Sequence, residues 1–309
     1  MTSYSIILPA KNEAESLKLL LPKLRKHHPD AEIIVVNDGS TDNTPFICEE
    51  NNVSVVTHPY SMGNGAAIKT GARNATGNIL VFMDADGQHK PEDINRLLLK
   101  IDEGYDMVVG ARDKKSQASI FRGLANKFYN KLASYVTERK IEDLTSGFRA
   151  AKANKFREFL YLLPNGFSYP TTSTMAFFRA GYAVTYLPIE APKRIGKSHI
   201  NLVRDGIRFL LIIFKVGTLY SPLKIFLPVS LFTFALGFSY YMFTFISAGR
   251  FTNMSALMFT TSMLMFFMGL VSEQITALMY KTEIMLDTQN KNKSKTSLEI
   301  TQKTSEQTK

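Results

Sequence analysis

Acidic and amide side chains follow several short apolar runs in the first third of this sequence. Asp84 and Asp86 come directly after the apolar run Ile79–Met83. Two more polar turns lie upstream, at Pro9–Glu13 and at Asn37–Asp42, and each also follows an apolar run. One acidic turn carries little information, because aspartate favours turns and helix N-caps. Several of them in a chain of net charge +10 indicate a ligand, since clustered carboxylates repel one another unless a cation or a donor group joins them.

The Asp84-x-Asp86 triplet is the strongest indication of chemistry. Alternate residues of an extended segment point to the same side, so both carboxylates can contact one ligand. Hard oxygen ligands suit Mg²⁺ or Mn²⁺, and such a cation can bridge to the phosphates of a bound nucleotide. There it would stabilise a leaving diphosphate as a Lewis acid. We therefore predict a metal site for nucleotide chemistry at this turn.

These turns must be positioned by the elements around them, and the first 110 residues alternate strand and helix patterns. Such alternation predicts an α/β fold with a mostly parallel, doubly wound sheet, in which ligands bind beyond the carboxyl ends of the strands. The predicted strands are Tyr4–Leu8, Glu32–Asn37, Val53–Thr57, Ile79–Met83 and Met107–Gly110. The predicted helices are Glu13–His27, Asn43–Asn51, Gly65–Asn74 and Pro91–Glu103.

The order of the sequence motifs resembles glycosyltransferase family 2. The motifs are PAKNE at 9–13, VVNDGSTDNT at 35–44, GNGAA at 63–67, VFMDADGQH at 81–89, VVGAR at 108–112, DLTSGFRA at 143–150 and KRIGKSH at 193–199. The resemblance implies a Rossmann-like GT-A fold. It is closest to the dolichyl- and polyprenyl-phosphate sugar transferases, a subgroup similar to dolichol-phosphate mannose synthase, here with two C-terminal transmembrane helices.

The resemblance also implies roles for individual residues. The base and ribose of a UDP- or GDP-linked sugar would be held by Pro9, Asn12, Glu13 and Asp38. The metal and the diphosphate would be held by Asp84, Asp86 and Gln88. The phosphate of the acceptor would be held by Arg112, Arg122 and Ser146. A loop closing over the donor phosphates would carry Arg194, Lys197 and Ser198. The residues expected to act in catalysis are Asp86, Arg112 and Arg122.

The expected reaction needs no strong general base. A lipid monophosphate is mostly ionised near neutral pH, because its second pKa is around 6, and it can attack the sugar directly. Arginine suits such a phosphate because its guanidinium can bind two oxygens. The sequence has no convincing Ser–His or Cys–His pair, so catalysis is expected to come from positioning and charge stabilisation. Attack opposite the leaving diphosphate predicts inversion at the sugar carbon.

Composition changes sharply near Leu223. Ile225–Ile246 carries no charged residue and Met254–Tyr280 carries only Glu273, and each is long enough for a transmembrane helix, which needs about 20 apolar residues. Basic residues flank this hairpin more than they occupy its loop, so the positive-inside rule predicts cytosolic termini and a cytosolic catalytic domain. The predicted division is a GT-A domain at 1–199, an interfacial amphipathic helix at 200–222, two transmembrane helices within 223–280 (about 225–246 and 254–280) and a disordered basic tail at 281–309.

The distribution of basic residues and the single cysteine limit which binding partners and locations are expected. Much of the positive charge lies in the tail and beside the apolar segments, so anionic lipid is a simpler partner than nucleic acid. Cys48 is the only cysteine, which excludes an internal disulfide, and the N-terminus has no signal-peptide pattern. The expected location is a bacterial plasma membrane, or the endoplasmic reticulum membrane in a eukaryote. Homo-oligomerisation stays open.

Other functions fit the sequence less well. Gly63 and Gly65 do not form a dinucleotide fingerprint, because they follow the third predicted strand and Ile68 takes the sixth position. The histidines lack zinc spacing. Processive polysaccharide synthases carry a Gln-x-x-Arg-Trp motif, and this chain has no Trp. Transfer to another lipid acceptor and a catalytically silent, nucleotide-sugar-binding role in a membrane complex stay open.

Overall fold

The computed structural model describes residues 3–112, 120–166, 169–190 and 221–278, with isolated positions between 207 and 218. The chain divides into two compact units, Met1–Val216 and Gly217–Lys309. The predicted interfacial helix lies almost entirely outside the described residues, and the predicted tail lies wholly outside them.

The first unit alternates strands and helices, as predicted for its first 110 residues, with small shifts at the element ends. Its strands are β1 (Tyr4–Ala10), β2 (Glu32–Asn37), β3 (Ser54–Thr57), β4 (Ile79–Phe82), β5 (Met107–Arg112), β6 (Arg149–Lys152) and β7 (Val184–Ile189). Its helices are α1 (Ala14–His27), α2 (Thr44–Glu50), α3 (Asn64–Asn74), α4 (Asp93–Asp102), α5 (Ile120–Thr137), α6 (Ala153–Arg157) and α7 (Tyr169–Arg179).

These strands form one sheet with the order β3-β2-β1-β4-β6-β5-β7. Strand β6 is antiparallel to both of its neighbours, β4 and β5, and the remaining pairs are parallel. The predicted α/β class with a mostly parallel sheet is therefore confirmed. Since β2, β1 and β4 are adjacent and parallel, the turns that follow them meet at one edge. The chain order reverses between β1 and β4, and such a switch point is where sheets of this type bind ligands.

The core lies on both faces of the sheet. In β1, Ile6 and Leu8 pack with the buried leucines of α1, while Ile7 packs with α3 on the opposite face. A strand that is buried on both sides reads as a continuous apolar run, which is why these strands were visible in the sequence. This packing fixes the strand ends and therefore the polar turns that leave them.

The second unit contains two long apolar helices, α8 (Pro222–Ala248) and α9 (Asn253–Leu278), each long and apolar enough to cross a membrane. The two helices contact each other through small residues. Ser230 Oγ donates to the Ser262 carbonyl (3.0 Å), and Ser262 Oγ donates to the Ser230 carbonyl (2.9 Å). A Cβ on Gly237 would lie 2.8 Å from Met258 Cβ, so a larger residue there would separate the helices. Small and hydroxyl residues are typical of contacts between membrane helices.

Glu273 joins the ends of this helix pair. Pro222 opens α8 and has no N–H, so the next backbone amide belongs to Leu223. That amide donates to Glu273 Oε2 at 3.2 Å. A carboxylate is favourable at a helix N-terminus because the unpaired amides and the helix dipole are positive there. The charged residue within the second apolar segment thus has a backbone partner at the start of the first helix.

Candidate functional site

A cavity of about 380 Å³ lies at the carboxyl ends of β1, β2 and β4. It brings together five of the predicted donor-site residues: Pro9, Glu13, Asp38, Asp84 and Asp86. The rest of its lining consists of Ala10, Lys11, Ser61, Gly63, Asn64, Ala67 and Ala85. Carboxylates that are far apart in the sequence therefore share one space, as the strand-end argument predicts.

Asp84 is held in a confined position. Its side chain is 36% exposed, and His89 Nε2 lies 3.7 Å from its Oδ2. The His89 ring is buried and stacks on Phe148, with ring centroids 4.8 Å apart. On another side lies Gly147, where a Cβ would be only 2.7 Å from Asp84 Oδ2. Glycine at position 147 is therefore what leaves room for this carboxylate.

Asp86 reaches the cavity by a different route from the one expected. Strand β4 ends at Phe82, and Asp86 lies in a turn that precedes Gly87 (φ 74°). The Gln88 backbone N–H donates to Asp86 Oδ1 at 3.2 Å. Asp84 and Asp86 are thus not alternate residues of one strand, but the turn brings both to the same cavity. Gln88 is not among the residues that line it.

The donor set suits a cation that keeps other ligands. No group of three or more His, Cys, Asp or Glu side chains with metal-binding geometry occurs among the described residues. Asp84 and Asp86 would therefore be two of the ligands, and diphosphate oxygens and water would complete the coordination. Mg²⁺ is commonly held in this way, by one or two carboxylates with substrate phosphates.

Asp38 is buried, and its carboxylate is occupied by hydrogen bonds from its own chain. Oδ1 accepts from His58 Nδ1 (2.8 Å) and from the Met62 N–H (2.7 Å). Oδ2 accepts from Ser61 Oγ (2.8 Å) and from the Gly63 N–H (2.9 Å). Burial raises the pKa of Asp38, but these hydrogen bonds outweigh burial and the net shift is downward. The carboxylate therefore holds the 58–63 loop in place as a wall of the cavity, a role that sequence reasoning missed.

Asn12 joins the turns after β1 and β2 and does not line the cavity. It has a positive φ of 55°. Its N–H donates to Ser40 Oγ (3.0 Å), and its Oδ1 accepts from the Thr41 N–H (2.8 Å). In this structure Asn12 connects two loops. Its predicted contact with the base or ribose stays a prediction.

Asp42 caps the N-termini of two helices, α1 and α2. Its carboxylate accepts from the Ala14 N–H at the start of α1 and from the Thr44 N–H at the start of α2, both at 3.1 Å. Asn43 makes no side-chain capping bond. A single carboxylate thus serves two helix N-termini that border the site.

Lys11 supplies a positive charge to the cavity that the sequence analysis did not assign. Its Nζ donates to Ser61 Oγ at 3.0 Å, and the side chain lines the cavity with Asp84 and Asp86. The signal was present, since Lys11 lies within the PAKNE motif between two predicted site residues.

The glycine stretch before α3 is used for packing. The Gly65 N–H donates to the Gly166 carbonyl (3.0 Å) and the Ala66 N–H to the Asn165 carbonyl (2.9 Å). A Cβ on Gly65 would lie 1.9 Å from the Pro164 carbonyl oxygen. These amides are directed at protein acceptors, which agrees with the rejection of a dinucleotide fingerprint here.

Arg112, predicted to bind the acceptor phosphate, ends β5 and forms an ion pair with Asp143. Its Nε lies 2.8 Å from Asp143 Oδ2 and its Nη2 lies 3.0 Å from Asp143 Oδ1. Burial lowers the pKa of Arg112, but the hydrogen bonds and charge of Asp143, with a contribution from Asp84, raise it overall. Burial raises the pKa of Asp143. The charge and hydrogen bonds of Arg112, with two backbone amides, outweigh burial, so the net shift of the Asp143 pKa is downward. Asp143 was not singled out by the sequence analysis.

Ser146 is buried beside this pair, with its N–H donating to Asp143 Oδ1 at 3.1 Å. Its Oγ has no hydrogen-bond partner among the described atoms. Arg122 lies on α5, and its side chain is outside the described part. Arg194 and Lys197 also lie outside the described residues.

Arg149, the first residue of β6, is fully buried below the same turn. Its Nη1 donates to the Pro170 carbonyl (3.0 Å) and to Ser173 Oγ (2.8 Å) at the start of α7, and its Nη2 donates to the Ser146 carbonyl. Burial lowers the pKa of this guanidinium. Arg149 therefore ties the turn of Ser146 to α7, which the sequence analysis did not anticipate.

Comparison with known proteins identifies the family. Residues 5–160 match the glycosyl transferase family 2 domain, and residues 221–278 match the GtrB C-terminal hairpin. The chain belongs to glycosyl transferase family 2. The family 2 match covers β1 to α6 and contains the whole cavity, and the hairpin match covers α8 and α9.

Relatives of this family 2 chain include two undecaprenyl-phosphate 4-deoxy-4-formamido-L-arabinose transferases. The one from Proteus mirabilis (strain HI4320) is 36% identical over 160 residues, which is 48% of this chain and 49% of the relative. The one from Photorhabdus laumondii is 34% identical over 156 residues, 47% and 48% of the two chains. The match thus spans about half the length of these transferases. CsbB of Bacillus subtilis (strain 168), whose glycosyltransferase name is provisional, is 27% identical over 301 residues, 90% of this chain and 88% of the relative.

Solved structures share the fold of this family 2 chain. Glucosyl-3-phosphoglycerate synthase from Mycobacterium tuberculosis, crystallised with Mn²⁺, UDP and glucosyl-3-phosphoglycerate, superposes with a TM-score of 0.58 at 19% identity, covering 70% of this chain and 80% of that one. This likeness establishes the GT-A fold that the motifs predicted.

Proposed function

We propose that this protein is an inverting glycosyltransferase that moves a sugar from a nucleoside-diphosphate sugar to a polyprenyl phosphate at a membrane surface. The observation that carries the proposal is the single cavity at the β1–β4 switch point, where Asp84 and Asp86 meet the PAKNE turn. The family 2 match and the undecaprenyl-phosphate relatives support it.

The donor would lie in this cavity with its diphosphate toward Asp84 and Asp86. A bound Mg²⁺ or Mn²⁺ would supply charge stabilisation to the leaving diphosphate. Pro9 and Glu13 also line the cavity and would contact the nucleoside, while Lys11 adds a positive charge that would offset the phosphates. The structural neighbour crystallised with Mn²⁺ and UDP supports a divalent metal and a UDP-linked donor. The assay below compares UDP-linked with GDP-linked sugars.

The acceptor phosphate would approach from the β5 side, where Arg112 and Ser146 lie near one another. The pKa of Arg112 is raised, so the guanidinium is charged at every physiological pH. The phosphate oxygen needs no base to attack, and the chain's contribution is to orient it and to offset its charge. Arg122 would join them from α5. Arg194 and Lys197, in the segment after β7, would instead close over the donor phosphates.

The helices α8 and α9 would span the bilayer and keep the domain beside its lipid substrate. Both are longer than the 20 or so residues that a bilayer requires. The basic flanks of the hairpin support cytosolic termini and a cytosolic catalytic domain. We extend the proposal to the division into a catalytic domain at 1–199, an interfacial helix at 200–222, the hairpin at 223–280 and a tail at 281–309.

A donor-panel assay on the full chain in detergent or nanodiscs tests the proposal. UDP- and GDP-linked sugars are incubated with a polyprenyl phosphate or a glycerolipid, with Mg²⁺, Mn²⁺ or a chelator, and lipid-linked sugar is measured. We expect product with a polyprenyl phosphate, none with the chelator, and inverted anomeric configuration by NMR. If only the glycerolipid receives sugar, the acceptor is a glycerolipid and not a polyprenyl phosphate. If no donor gives product, the proposed function is wrong.

Asp86→Asn and Asp102→Asn form a matched pair for this assay. Asp102 is an exposed carboxylate on α4 and does not line the cavity, so its variant should transfer as the wild type does. If the protein were instead a catalytically silent partner in a membrane complex, cells that carry Asp86→Asn would keep their normal glycolipid levels.

A further inference from the structure

We propose that Asp143 is a positioning residue that fixes the Arg112 guanidinium, and the turn of Ser146, for the acceptor phosphate. The inference rests on the proposed function, because it assigns a partner to the acceptor half of that site.

The contact between the two side chains is directional. Asp143 faces the guanidinium with one oxygen on Nε and the other on Nη2, the paired geometry that fixes the plane of an arginine. Nη2 also donates to Thr145 Oγ1. Within the described part of the chain these contacts take up the Nε and Nη2 side, which leaves the Nη1 side for a ligand.

The exposure of the pair matches this division of labour. The Asp143 side chain is 11% exposed, whereas the Arg112 side chain is 33% exposed. The buried Asp143 carboxylate therefore fixes the orientation of Arg112, and the Arg112 guanidinium is the group that solvent or a ligand can reach. An arginine retains donors on its other edge after one such pairing, because it carries five N–H groups.

The same carboxylate also shapes the turn after it. Asp143 Oδ1 accepts from the Thr145 N–H at 3.0 Å and from the Ser146 N–H at 3.1 Å. Two residues assigned to the acceptor phosphate, Arg112 and Ser146, are therefore set by one side chain. Gly147 follows directly and contacts Asp84, so the turn also borders the carboxylate assigned to the metal.

An opposite effect of Asp143 is physically possible and makes the opposite prediction. A carboxylate can compete with a phosphate for an arginine, in which case removing its charge would tighten acceptor binding. Positioning predicts that removing it loosens the guanidinium and weakens the use of the acceptor.

Asp143→Asn separates the two effects. Asparagine keeps the shape and an oxygen for the Thr145 and Ser146 amides, but its NH₂ faces Nε and cannot accept. For the full chain we expect kcat/KM for the polyprenyl phosphate to fall on the order of 10- to 100-fold, as for a misplaced reacting group. Binding of nucleoside diphosphate with Mn²⁺, measured by calorimetry, should stay at the wild-type value.

A double-mutant cycle with Arg112→Lys supplies a readout that a merely structural role would not move. If Asp143 acts through Arg112, the double variant should be no worse than Arg112→Lys alone, whereas independent effects would multiply. Thr145→Val and Thr145→Ser provide a milder pair, because valine removes the hydroxyl that accepts from Nη2 and serine keeps it. We expect acceptor use to fall with valine and to return with serine.

The outcomes are distinct. Asp143→Asn with unchanged or improved acceptor use, or effects that multiply in the cycle, overturns the inference and leaves the proposed function intact. If Asp143→Asn also loses nucleotide binding, it is misfolded and the Thr145 pair decides, with equal activity of valine and serine variants overturning the inference. A wild-type protein that transfers no sugar overturns both.

Discussion

The proposed donor side and the proposed acceptor side of this site are built in different ways. The donor side collects the turns after β1, β2 and β4, which are adjacent parallel strands, so three short motifs meet with little help from the rest of the chain. The acceptor side depends on Arg112 at the end of β5 and on Asp143, 31 residues later, next to the antiparallel strand β6. Carboxylates line the donor side, whereas on the acceptor side a carboxylate supports an arginine. The difference predicts that substitutions should separate donor use from acceptor use.

Asp86→Asn should give the largest loss and should act on the donor side alone. A cation that stabilises a leaving diphosphate is worth several kcal/mol, so losing one of its ligands should lower transfer on the order of 10²- to 10³-fold. The transfer rate and Mn²⁺ binding by EPR should fall together. A variant that keeps its metal affinity but loses acceptor use would break the division between the two sides.

Gly147→Ala should reduce metal affinity although neither proposed metal ligand, Asp84 or Asp86, is substituted. The new Cβ would lie 2.7 Å from Asp84 Oδ2, so the carboxylate must move. We expect apparent Mn²⁺ affinity to fall about 10- to 100-fold, the range seen when support of a metal ligand is lost. Gly166→Ala is the matched control, because a Cβ there meets nothing within 4 Å. Equal effects of the two variants would contradict the contact.

Asp38→Asn should act mainly on stability. The amide NH₂ of asparagine would face donors on the 58–63 loop, and hydrogen bonds to a charged group contribute about 1.5–3 kcal/mol. We expect a loss of about 2 kcal/mol in unfolding free energy by denaturant titration of the full chain. Unchanged stability with loss of nucleotide binding would instead return Asp38 to direct contact with the nucleoside, and would sharpen the account of the donor side.

Acid should lower the unfolding free energy of the catalytic domain by protonating aspartates that are ionised in the folded state. This is the smallest of the expected effects near neutral pH. The folded-state pKa values of Asp38, Asp106 and Asp143 are lowered, so the folded domain binds fewer protons there than the unfolded chain. Their stabilisation is present above the ordinary aspartate pKa of about 4 and is lost as pH falls through the folded values. The part of the unfolding free energy that these three carboxylates contribute should be constant from pH 7 to 5 and drop below about pH 4. In Asp106→Asn, which loses contacts to Lys152 and Lys155, the drop should be smaller.

The sequence predicted the donor side well because its signals are local. Apolar runs buried on both faces marked β1, β2 and β4, and the turn after each strand held the carboxylates that line the cavity. Lys11 was within a recognised motif and was overlooked only because nothing in the spacing assigned it a role. Asn12 and Gln88 show the limit of this reasoning, since a motif places a residue near a site but not on its wall.

The acceptor side was less predictable because its contacts are distant in the chain. No periodicity links Arg112 to Asp143, and β6 begins with Arg149 and ends with Lys152, so it does not stand out as an apolar run. The buried Arg149 reads as a surface charge in the sequence, and its partners on α7 appear only in three dimensions. The roles given to Arg122, Arg194 and Lys197 stay predictions.

The cap on α8 has a consequence for the path of a lipid. The residues between Ala248 and Asn253 connect the helices at one end, and Glu273 bound to the Leu223 amide fastens them at the other. Between these points the Ser230–Ser262 hydrogen bonds and the close approach at Gly237 keep the two helices in contact. We therefore expect this hairpin to tilt in a bilayer as one body. The isoprenoid tail of the proposed acceptor would then lie along its outer surface and not between its two helices.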